Sequence, residues 1–234
     1  MVINIVNYTK KIGQAVVLDN INVTMEEGKV YGLKGRNGAG KTMLMRAVSG
    51  LIRPTEGYVE VDGRKVGKDI SFPENMGILL EHPGFIGEYT GYDNLKVLAD
   101  IRGVVGEKEI REMMERLGLD SYEKKKYKKY SLGMKQKLGI AAAFMENPQL
   151  IILDEPVNAL DEESIKKFEN LMDEARNQKK IIIISCHDSE ELYRFSDEIL
   201  YIDNGKVTKQ EMVSYKQGKM AKQTVMEGKN EKQI

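Results

Sequence analysis

Two short runs of apolar residues constrain the fold of this chain more than any other feature of its sequence. Leu150–Asp154 and Ile181–Ser185 are unbroken apolar segments that each end in a polar residue, a pattern typical of strands buried on both faces of a parallel sheet. Between them, apolar residues recur at helical spacing. They are Ile165, Phe168, Leu171, Met172 and Ala175. The pattern predicts a strand, helix, strand unit of an α/β fold, with functional groups at the strand ends.

The rest of the chain divides into strand-like ends and a helical middle. Apolar and alternating patterns predict strands at residues 2–6, 16–24, 29–34, 58–62, 76–81 and 199–203. Residues 91–147 instead form consecutive helix-like segments, one of which ends at Gly118 as its C-terminal cap. After Gly205 the sequence is rich in Lys and Gln. Residues 206–234 are therefore expected to form a polar tail whose last 20 or so positions are frayed or helical.

Charge and composition disfavour several classes of protein. The 234 residues carry 36 basic and 36 acidic side chains, so no global field favours nucleic acid or an anionic membrane face. The apolar runs are far shorter than the roughly 18 to 20 residues that cross a bilayer, and the N-terminal residues are expected to form a strand rather than a signal peptide. Cys186 is the single cysteine, which fits a reducing compartment, and its place after an apolar run predicts a buried side chain.

The strongest local signal is a glycine-rich segment that follows the strand at residues 29–34 and opens a helix. Its residues are Gly35, Arg36, Asn37, Gly38, Ala39, Gly40, Lys41 and Thr42. They match the P-loop pattern in the required strand, loop, helix context. The glycines allow the backbone to wrap a phosphate, Lys41 can reach the β- and γ-phosphates, and the Thr42 hydroxyl can ligate Mg²⁺. The segment predicts binding of ATP with Mg²⁺, and the alternative is an ordinary glycine-rich turn.

A second element places two carboxylates at the end of a buried strand. The run Leu150–Asp154 is followed directly by Glu155, which resembles the Walker B motif. Asp154 would then belong to the Mg²⁺ shell, and Glu155 would orient and deprotonate the attacking water, a base role that commonly contributes about 10² to 10⁴ in rate. In isolation such a pair more often only ends a strand. The upstream P-loop makes the motif specific.

The segment at residues 130–141 carries the resemblance to a family. Its sequence, Tyr-Ser-Leu-Gly-Met-Lys-Gln-Lys-Leu-Gly-Ile-Ala, resembles the signature sequence of ABC-type ATPases, in a form found among one group of bacterial exporters. The resemblance implies that Ser131 and Gly133 cover the γ-phosphate of an ATP bound by the P-loop of the opposite subunit. A helix N-terminus at Ser131 would favour an anion, although an isolated segment of this kind is more often a Ser-capped amphipathic helix.

Two further elements follow in the order of the same family. Residues 158–161, Asn-Ala-Leu-Asp, resemble the D-loop that crosses the dimer interface, and His187 resembles the switch histidine that hydrogen-bonds the γ-phosphate. A lone histidine is more often structural or solvent-facing, but its position after a buried strand and downstream of Glu155 favours the catalytic role.

The resemblance covers residues 1–205. It implies an α/β fold with a P-loop NTPase core, a mixed and largely parallel sheet, an N-terminal antiparallel β subdomain and a helical insertion. The implied core comprises residues 1–80 and 148–205, and the implied helical subdomain comprises residues 82–147.

The sequence departs from the family pattern at Glu81, where most members have glutamine. The glutamate form resembles the subgroup that exports, or confers immunity to, lantibiotics and bacitracin-like peptides. At roughly 4 Å and an effective dielectric constant near 20, an unshielded carboxylate would repel each phosphate charge by about 4 kcal/mol. We therefore expect Glu81 to approach Mg²⁺ or, alternatively, to be neutralised by a proton.

A second departure concerns recognition of the adenine base. Ile12 occupies the position at which relatives usually stack an aromatic ring on adenine. Stacking worth about 1 to 3 kcal/mol would be lost unless Tyr8 substitutes for that ring. Modest nucleotide affinity and weak base selectivity are expected.

The resemblance implies a dimer with two ATP molecules at its interface, docked on a separate integral membrane subunit. The chain would then be cytoplasmic and peripheral on the inner face of the membrane. Residues 81–92 and the helical insertion are expected to form the cleft for a helix of the membrane subunit. A homodimer is expected because every active-site element is present, and a heterodimer stays open.

Two other functions stay open at this point. A soluble ABC ATPase acting on ribosomes or DNA is disfavoured by the neutral charge, which predicts no nucleic-acid partner. A non-hydrolysing regulatory module is disfavoured by the presence of Glu155 and His187.

Overall fold

The computed structural model describes residues 1–81, 84–216 and 219–222, with the backbone alone from residue 214 onward. The strands in this part of the chain are β1 (Val2–Ile12), β2 (Ala15–Glu26), β3 (Lys29–Lys34), β4 (Glu56–Val61), β5 (Arg64–Lys65), β6 (Met76–Leu79), β7 (Leu150–Asp154), β8 (Ile181–Ser185), β9 (Glu198–Asp203), β10 (Lys206–Lys216) and β11 (Lys219–Lys222). The helices are α1 (Lys41–Val48), α2 (Gly91–Arg102), α3 (Glu107–Arg116), α4 (Leu132–Phe144), α5 (Glu162–Asn177) and α6 (Ser189–Phe195), with a 3₁₀ turn at Tyr127–Lys129.

The strands form two sheets. The larger sheet has the order β11-β10-β9-β3-β8-β7-β6, in which β9, β3, β8, β7 and β6 are parallel neighbours and β10 is antiparallel to β9. The smaller sheet has the order β2-β1-β4-β5 and is antiparallel throughout. The predicted mixed, largely parallel sheet and the predicted N-terminal antiparallel sheet are both confirmed.

The central strands are buried on both faces, as their sequences predict. Every residue of β7 and β8 is buried. α5 returns the chain from β7 to β8 and packs Phe168, Leu171 and Met172 into the core. In open α/β sheets, ligands bind outside the carboxyl ends of the strands. The residues that follow β3, β7 and β8 emerge at one such edge.

The helical middle of the chain consists of α2, α3 and α4, and α2 and α4 each begin after a side chain that caps the helix. Thr90 caps α2 in a reciprocal pair with Asp93, and Ser131 caps α4 by accepting a hydrogen bond from the Met134 N–H at 3.2 Å. α2, α3 and α4 pack on one another. They all lie within residues 82–147, and the proposed subdomain boundaries themselves stay a prediction.

The polar tail expected from residue 206 onward begins with a strand at residues 206–216 that was not predicted. These residues form β10, which pairs with β9 from Lys206 opposite Asp203 to Met212 opposite Glu198. The strand is stabilised by Glu211, a buried carboxylate that accepts hydrogen bonds from the Tyr201 hydroxyl at 2.7 Å and the Lys209 ammonium at 2.9 Å. The polar sequence of β10 does not indicate a strand, because the strand is stabilised by its pairing with β9 and by the hydrogen bond from Tyr201 of β9 to Glu211. Residues 217, 218 and 223–234 of the expected tail lie outside the described residues.

The helices are short compared with the thickness of a membrane. α5 is 16 residues long, which is below the roughly 20 residues of a transmembrane helix. Within the described ranges, no helix combines the length and the apolar character needed to span a bilayer.

Candidate functional site

The glycine-rich segment forms the turn between β3 and α1. β3 lies between β8 and β9 in the larger sheet, so the turn emerges at the carboxyl edge. Gly40 precedes α1 with a φ of 115°, a conformation that strains any residue with a side chain. α1 begins at Lys41 without a side-chain cap and without an acidic residue in its first turn. Its N–H groups and the positive end of its dipole therefore favour an anion at the loop.

A cavity of about 410 Å³ opens over this turn. Its lining residues are Val16, Val17, Asn37, Gly38, Gly40, Lys41, Thr42, Met43, Asp154, Glu155, Asn204 and Gly205. Two backbone hydrogen bonds tie the turn between β9 and β10 to the loop and to β2: the Gly205 N–H donates to the Ala39 carbonyl and the Asp19 N–H donates to the Gly205 carbonyl, each at 2.8 Å. The cavity has the size of a small-molecule site.

Lys41 lies against the loop that it follows. Its ammonium group donates to the Gly35 carbonyl at 2.8 Å and to the Arg36 carbonyl at 3.3 Å. A lysine ammonium is a compact point charge with rotatable donors, so these bonds can be exchanged for bonds to phosphate oxygens. Among the predicted loop residues, Gly35 and Arg36 thus serve here as acceptors for the lysine.

Asp154 lies in a hydrogen-bonded group beside the loop. The Thr42 hydroxyl donates to Asp154 Oδ2 at 2.5 Å, and the Ser185 hydroxyl donates to Asp154 Oδ1. The first contact brings together two of the three residues predicted to bind Mg²⁺. Ser185 was not predicted as part of the site, although it ends the second apolar run. Its contact follows from the pairing of β7 with β8, in which Asp154 is opposite Ser185.

Glu155 directly follows β7, and it lines the same cavity as Asp154. Its φ is 51°, and its N–H donates to the Ser185 carbonyl at 3.1 Å. Its carboxylate accepts a hydrogen bond from the Asn158 side-chain amide at 2.6 Å. Asn158 therefore orients the predicted base, a contact that sequence reasoning missed.

The signature helix α4 is attached to the loop after β7 of the same chain. The Gln136 side-chain amide donates to the carbonyls of Glu155 at 3.1 Å and Pro156 at 2.9 Å. A Cβ atom on Gly133 would lie 2.7 Å from the Ala159 carbonyl oxygen, so this close approach requires glycine. Ser131 is exposed at the start of α4. The predicted contacts of Ser131 and Gly133 with a nucleotide of a second subunit stay a prediction.

A second cavity, of about 330 Å³, shares part of its lining with the first. It is lined by Thr42, Glu81, Leu132, Gln136, Asp154, Glu155 and Asn158. Glu81 is thus brought to Thr42 and Asp154, the other two predicted Mg²⁺ ligands. However, its carboxylate is paired with Arg46, whose Nη2 lies 2.7 Å from Glu81 Oε1. Arg46 was missed, although its position four residues after Thr42 places both on the same face of α1.

His187 and its neighbour Cys186 follow β8. His187 is exposed and precedes Asp188, the cap of α6. In the described part of the chain, the linings of the two cavities do not include His187, so its contact with phosphate stays a prediction. Cys186 is buried, and burial raises the pKa of its thiol. The prediction of a buried cysteine is confirmed.

Tyr8 cannot replace the missing aromatic ring. Its side chain is 1% exposed, and its hydroxyl donates to the Ile52 carbonyl at 3.1 Å. Burial raises the pKa of Tyr8 to about 12, which fits a phenol enclosed in the core. Substitution of the adenine-stacking ring by Tyr8 is therefore excluded, and Val16 and Val17 form the apolar wall of the larger cavity.

Thr42 and Asp154 provide the kind of ligands that Mg²⁺ takes. Both offer hard oxygen atoms, and Mg²⁺ is usually held by one or two protein oxygens together with phosphates and water. Within residues 1–81, 84–216 and 219–222, no group of three or more His, Cys, Asp or Glu side chains could hold a metal ion. The site therefore fits Mg²⁺ that arrives with a nucleotide.

Comparison with known proteins places this arrangement in a family. The family described as ABC transporter matches residues 18–158. The chain belongs to the ABC transporter family. This ABC ATPase is 41% identical to YybJ of Bacillus subtilis, an uncharacterized ABC transporter ATP-binding protein, over 92% of this chain and 98% of that protein. It is 39% identical to the bacitracin transport ATP-binding protein BcrA of Enterococcus faecalis, over 91% of this chain and 70% of that protein.

A solved structure of similar fold contains the products of ATP hydrolysis. A dimeric ATP-binding cassette in a post-hydrolysis state, bound to ADP and phosphate, matches this ABC ATPase with a TM-score of 0.79 and 25% identity, over 90% of this chain and 98% of that one. The predicted ABC ATPase fold, ATP binding and ATP hydrolysis are confirmed. The chain is an ATP-binding subunit of the ABC transporter type.

Proposed function

We propose that this ABC ATPase hydrolyses ATP to drive export of a peptide antibiotic, or a drug-like molecule, through a separate membrane subunit. The observation that carries the chemistry is the meeting of Thr42, Asp154 and Glu155 beside a loop suited to phosphate. The relative BcrA, named for bacitracin transport, supports the cargo class. A ribosome- or DNA-directed ATPase and a regulatory module are not favoured, because the relatives are named as transporter subunits.

The phosphates of ATP are bound by the loop at residues 35–42. The N–H groups at the start of α1 donate to phosphate oxygens, and Lys41 exchanges its two loop carbonyls for the β- and γ-phosphates. Thr42 and Asp154 would hold Mg²⁺, which supplies neutralisation of phosphate charge when bound.

Glu155 then acts as the base. A water attacks the γ-phosphorus, its proton passes to the Glu155 carboxylate, and the bond to the ADP oxygen breaks to release ADP and phosphate. Asn158 orients this carboxylate before ATP arrives. His187 is the candidate for a hydrogen bond to the γ-phosphate. The negative charge that stays on ADP is offset by Lys41 and the end of α1.

Two ATPase subunits form the complete site. Each site combines the loop, Asp154, Glu155 and His187 of one subunit with Ser131 and Gly133 of the other. The exposed start of α4, where Leu132 is 60% exposed, supports this arrangement because a partner can reach it. A homodimer of this chain would have two competent sites, and a heterodimer with a related subunit would preserve at least one.

An apolar surface on α2 is suited to the membrane subunit. We call the exposed side chains of Val97, Leu98 and Ile101, with that of Val104 just after the helix, the α2 surface. Leu95 and Ala99 on the opposite face are buried in the core, so the helix is apolar on two sides. A surface of this kind marks a site of protein association. The chain would therefore act at the cytoplasmic face of the membrane.

The base assignment is tested with Glu155→Gln. The amide cannot accept the proton of the attacking water, so phosphate release should fall by about 10² to 10⁴. ATP should still bind, because the loop is unchanged, and ATP should hold the subunits together as a dimer during size-exclusion chromatography.

Glu162→Gln is the matched control, since it makes the same change at the start of α5 and outside both cavities. Its phosphate release should equal that of the unmodified protein. Normal phosphate release by Glu155→Gln would refute the assigned role.

A further inference from the structure

Glu81 and Glu155 follow neighbouring parallel strands, at equivalent positions and with similar backbone conformations. β6 and β7 pair Leu79 with Leu153, and each glutamate stands two residues further along its chain. Their φ angles are 54° and 51°, both in the left-handed region. Both glutamates line the cavity that contains Thr42 and Asp154. Among the described residues of that cavity, three carboxylates thus face a site that must accept the polyanionic end of ATP.

The three carboxylates differ in their partners. Asp154 accepts hydrogen bonds from two hydroxyl groups, and Glu155 accepts one from the Asn158 amide. These donors are neutral. Glu81 instead pairs with a guanidinium group, so its charge is offset within the protein. An uncompensated charge at this position would repel the phosphates through the protein and reduce ATP affinity.

The position of Arg46 on α1 makes this pairing possible. Thr42 and Arg46 are separated by four residues of one helix, so they project from the same face. Thr42 contacts Asp154 after β7, and Arg46 contacts Glu81 after β6. One face of the helix that follows the phosphate loop therefore meets carboxylates at the ends of two adjacent strands.

We propose that Arg46 is a positioning residue that holds Glu81 as a charge-neutral pair beside the triphosphate. Arg46 thus sets nucleotide affinity by cancelling repulsion, without touching the nucleotide itself. The proposal rests on the proposed function, since it requires ATP to bind at the adjacent loop.

The pair is accessible to mutation without loss of the fold. The side chains of Arg46 and Glu81 are 36% and 63% exposed, and exposed ion pairs contribute little to folding stability. Variants of either residue should therefore show an unchanged melting temperature. An effect on nucleotide binding can then be attributed to charge at the site.

The experiment measures dissociation constants for AMP, ADP and ATP by isothermal titration calorimetry in the presence of EDTA, so that bound metal does not contribute. Arg46→Gln should weaken ATP binding by about tenfold, with a smaller loss for ADP and the smallest for AMP, because the repulsion grows with ligand charge. Adding Glu81→Gln to this variant should restore affinity to within about threefold of the unmodified protein, and Arg46→Lys alone should also retain it.

A second ion pair provides the matched control. Arg64 and Glu74 are joined by a 2.9 Å contact between exposed side chains outside both cavities, so Arg64→Gln should leave all three affinities unchanged. Equal losses for AMP, ADP and ATP, or no rescue by Glu81→Gln, would overturn the proposal. If the unmodified protein binds ATP and Arg46→Gln binds it equally well, the proposal fails alone. If the unmodified protein binds ATP neither in EDTA nor with Mg²⁺, the proposed function fails with it.

Discussion

Burial decides which side chains near the larger cavity can meet a nucleotide base. Tyr8 has the aromatic ring but lies in the core with its hydroxyl bonded to a backbone carbonyl. Val16 lies at the cavity wall and is 45% exposed. A valine offers little flat surface on which a base can stack. The nucleotide is therefore expected to be held mainly through its phosphates.

We therefore predict weak discrimination between ATP and GTP, and a gain from a new ring at the wall. Val16→Tyr should tighten ATP binding by about 1 to 3 kcal/mol, the usual contribution of one aromatic stack on a base. Val2→Tyr is a control, since Val2 has similar exposure but lies outside the cavity lining. Competition binding with ATP and GTP measures both effects. A large preference of the unmodified protein for ATP would contradict the prediction.

At the scale of elements, β10 shows how a polar segment becomes part of a sheet. The Glu211 carboxylate is 3% exposed and is bonded to Lys209 and Tyr201. Burial, followed by the hydrogen bond to Glu211, raises the pKa of Tyr201. The phenol therefore stays protonated at neutral pH and can donate its hydrogen bond to the carboxylate.

Removing this carboxylate should destabilise the pairing of β10 with β9. Glu211→Ala should lower the free energy of unfolding by about 1.5 to 3 kcal/mol, the range for a hydrogen bond to a charged group. Met212→Ala changes the next residue, which is 43% exposed, and should have an effect within about 0.5 kcal/mol. Urea unfolding followed by circular dichroism measures both values. Equal stability of the two variants would show that β10 contributes nothing through Glu211.

At the scale of the whole molecule, the ATP site and the α2 surface lie on different parts of the chain. The ATP site is built on the carboxyl edge of the parallel strands, whereas the α2 surface belongs to the helical middle. This separation lets one surface be altered while the other stays intact. The proposed docking on a membrane subunit can therefore be tested independently of ATP hydrolysis.

The α2 surface is tested with Ile101→Glu, since Ile101 is 76% exposed. A charge buried in an apolar contact is costly, so capture of the membrane subunit with the tagged chain should fall by about tenfold, or about 1.4 kcal/mol. Phosphate release by the isolated chain should not change. Leu51→Glu, at an exposed apolar residue outside α2, is the control. Undiminished capture by Ile101→Glu would remove α2 from the docking site.

Sequence patterns were most informative where the environment of a segment is uniform. The bounds of β3, β7 and β8 match their predictions residue for residue. For β7 and β8 the reason is that a strand buried on both faces needs an unbroken apolar run. β10 was missed because its sequence contains no such run, and its buried Glu211 depends on side chains of β9 and β10 together. Sequence patterns predicted the glycine-rich turn, Asp154 and Glu155 for a related reason, since each lies next to a recognisable strand.

The sequence by itself determined the family, the phosphate loop and the two carboxylates after β7. These features depend on residues that are neighbours in the chain, so their spacing is sufficient to define them. Only the tertiary structure decided that Tyr8 is enclosed in the core, that Asn158 orients Glu155 and that Arg46 neutralises Glu81. Arg46 and Glu81 are 35 residues apart. Their contact exists because α1 packs beside the ends of β6 and β7, and a charge is offset only by groups that packing brings within a few ångströms of it.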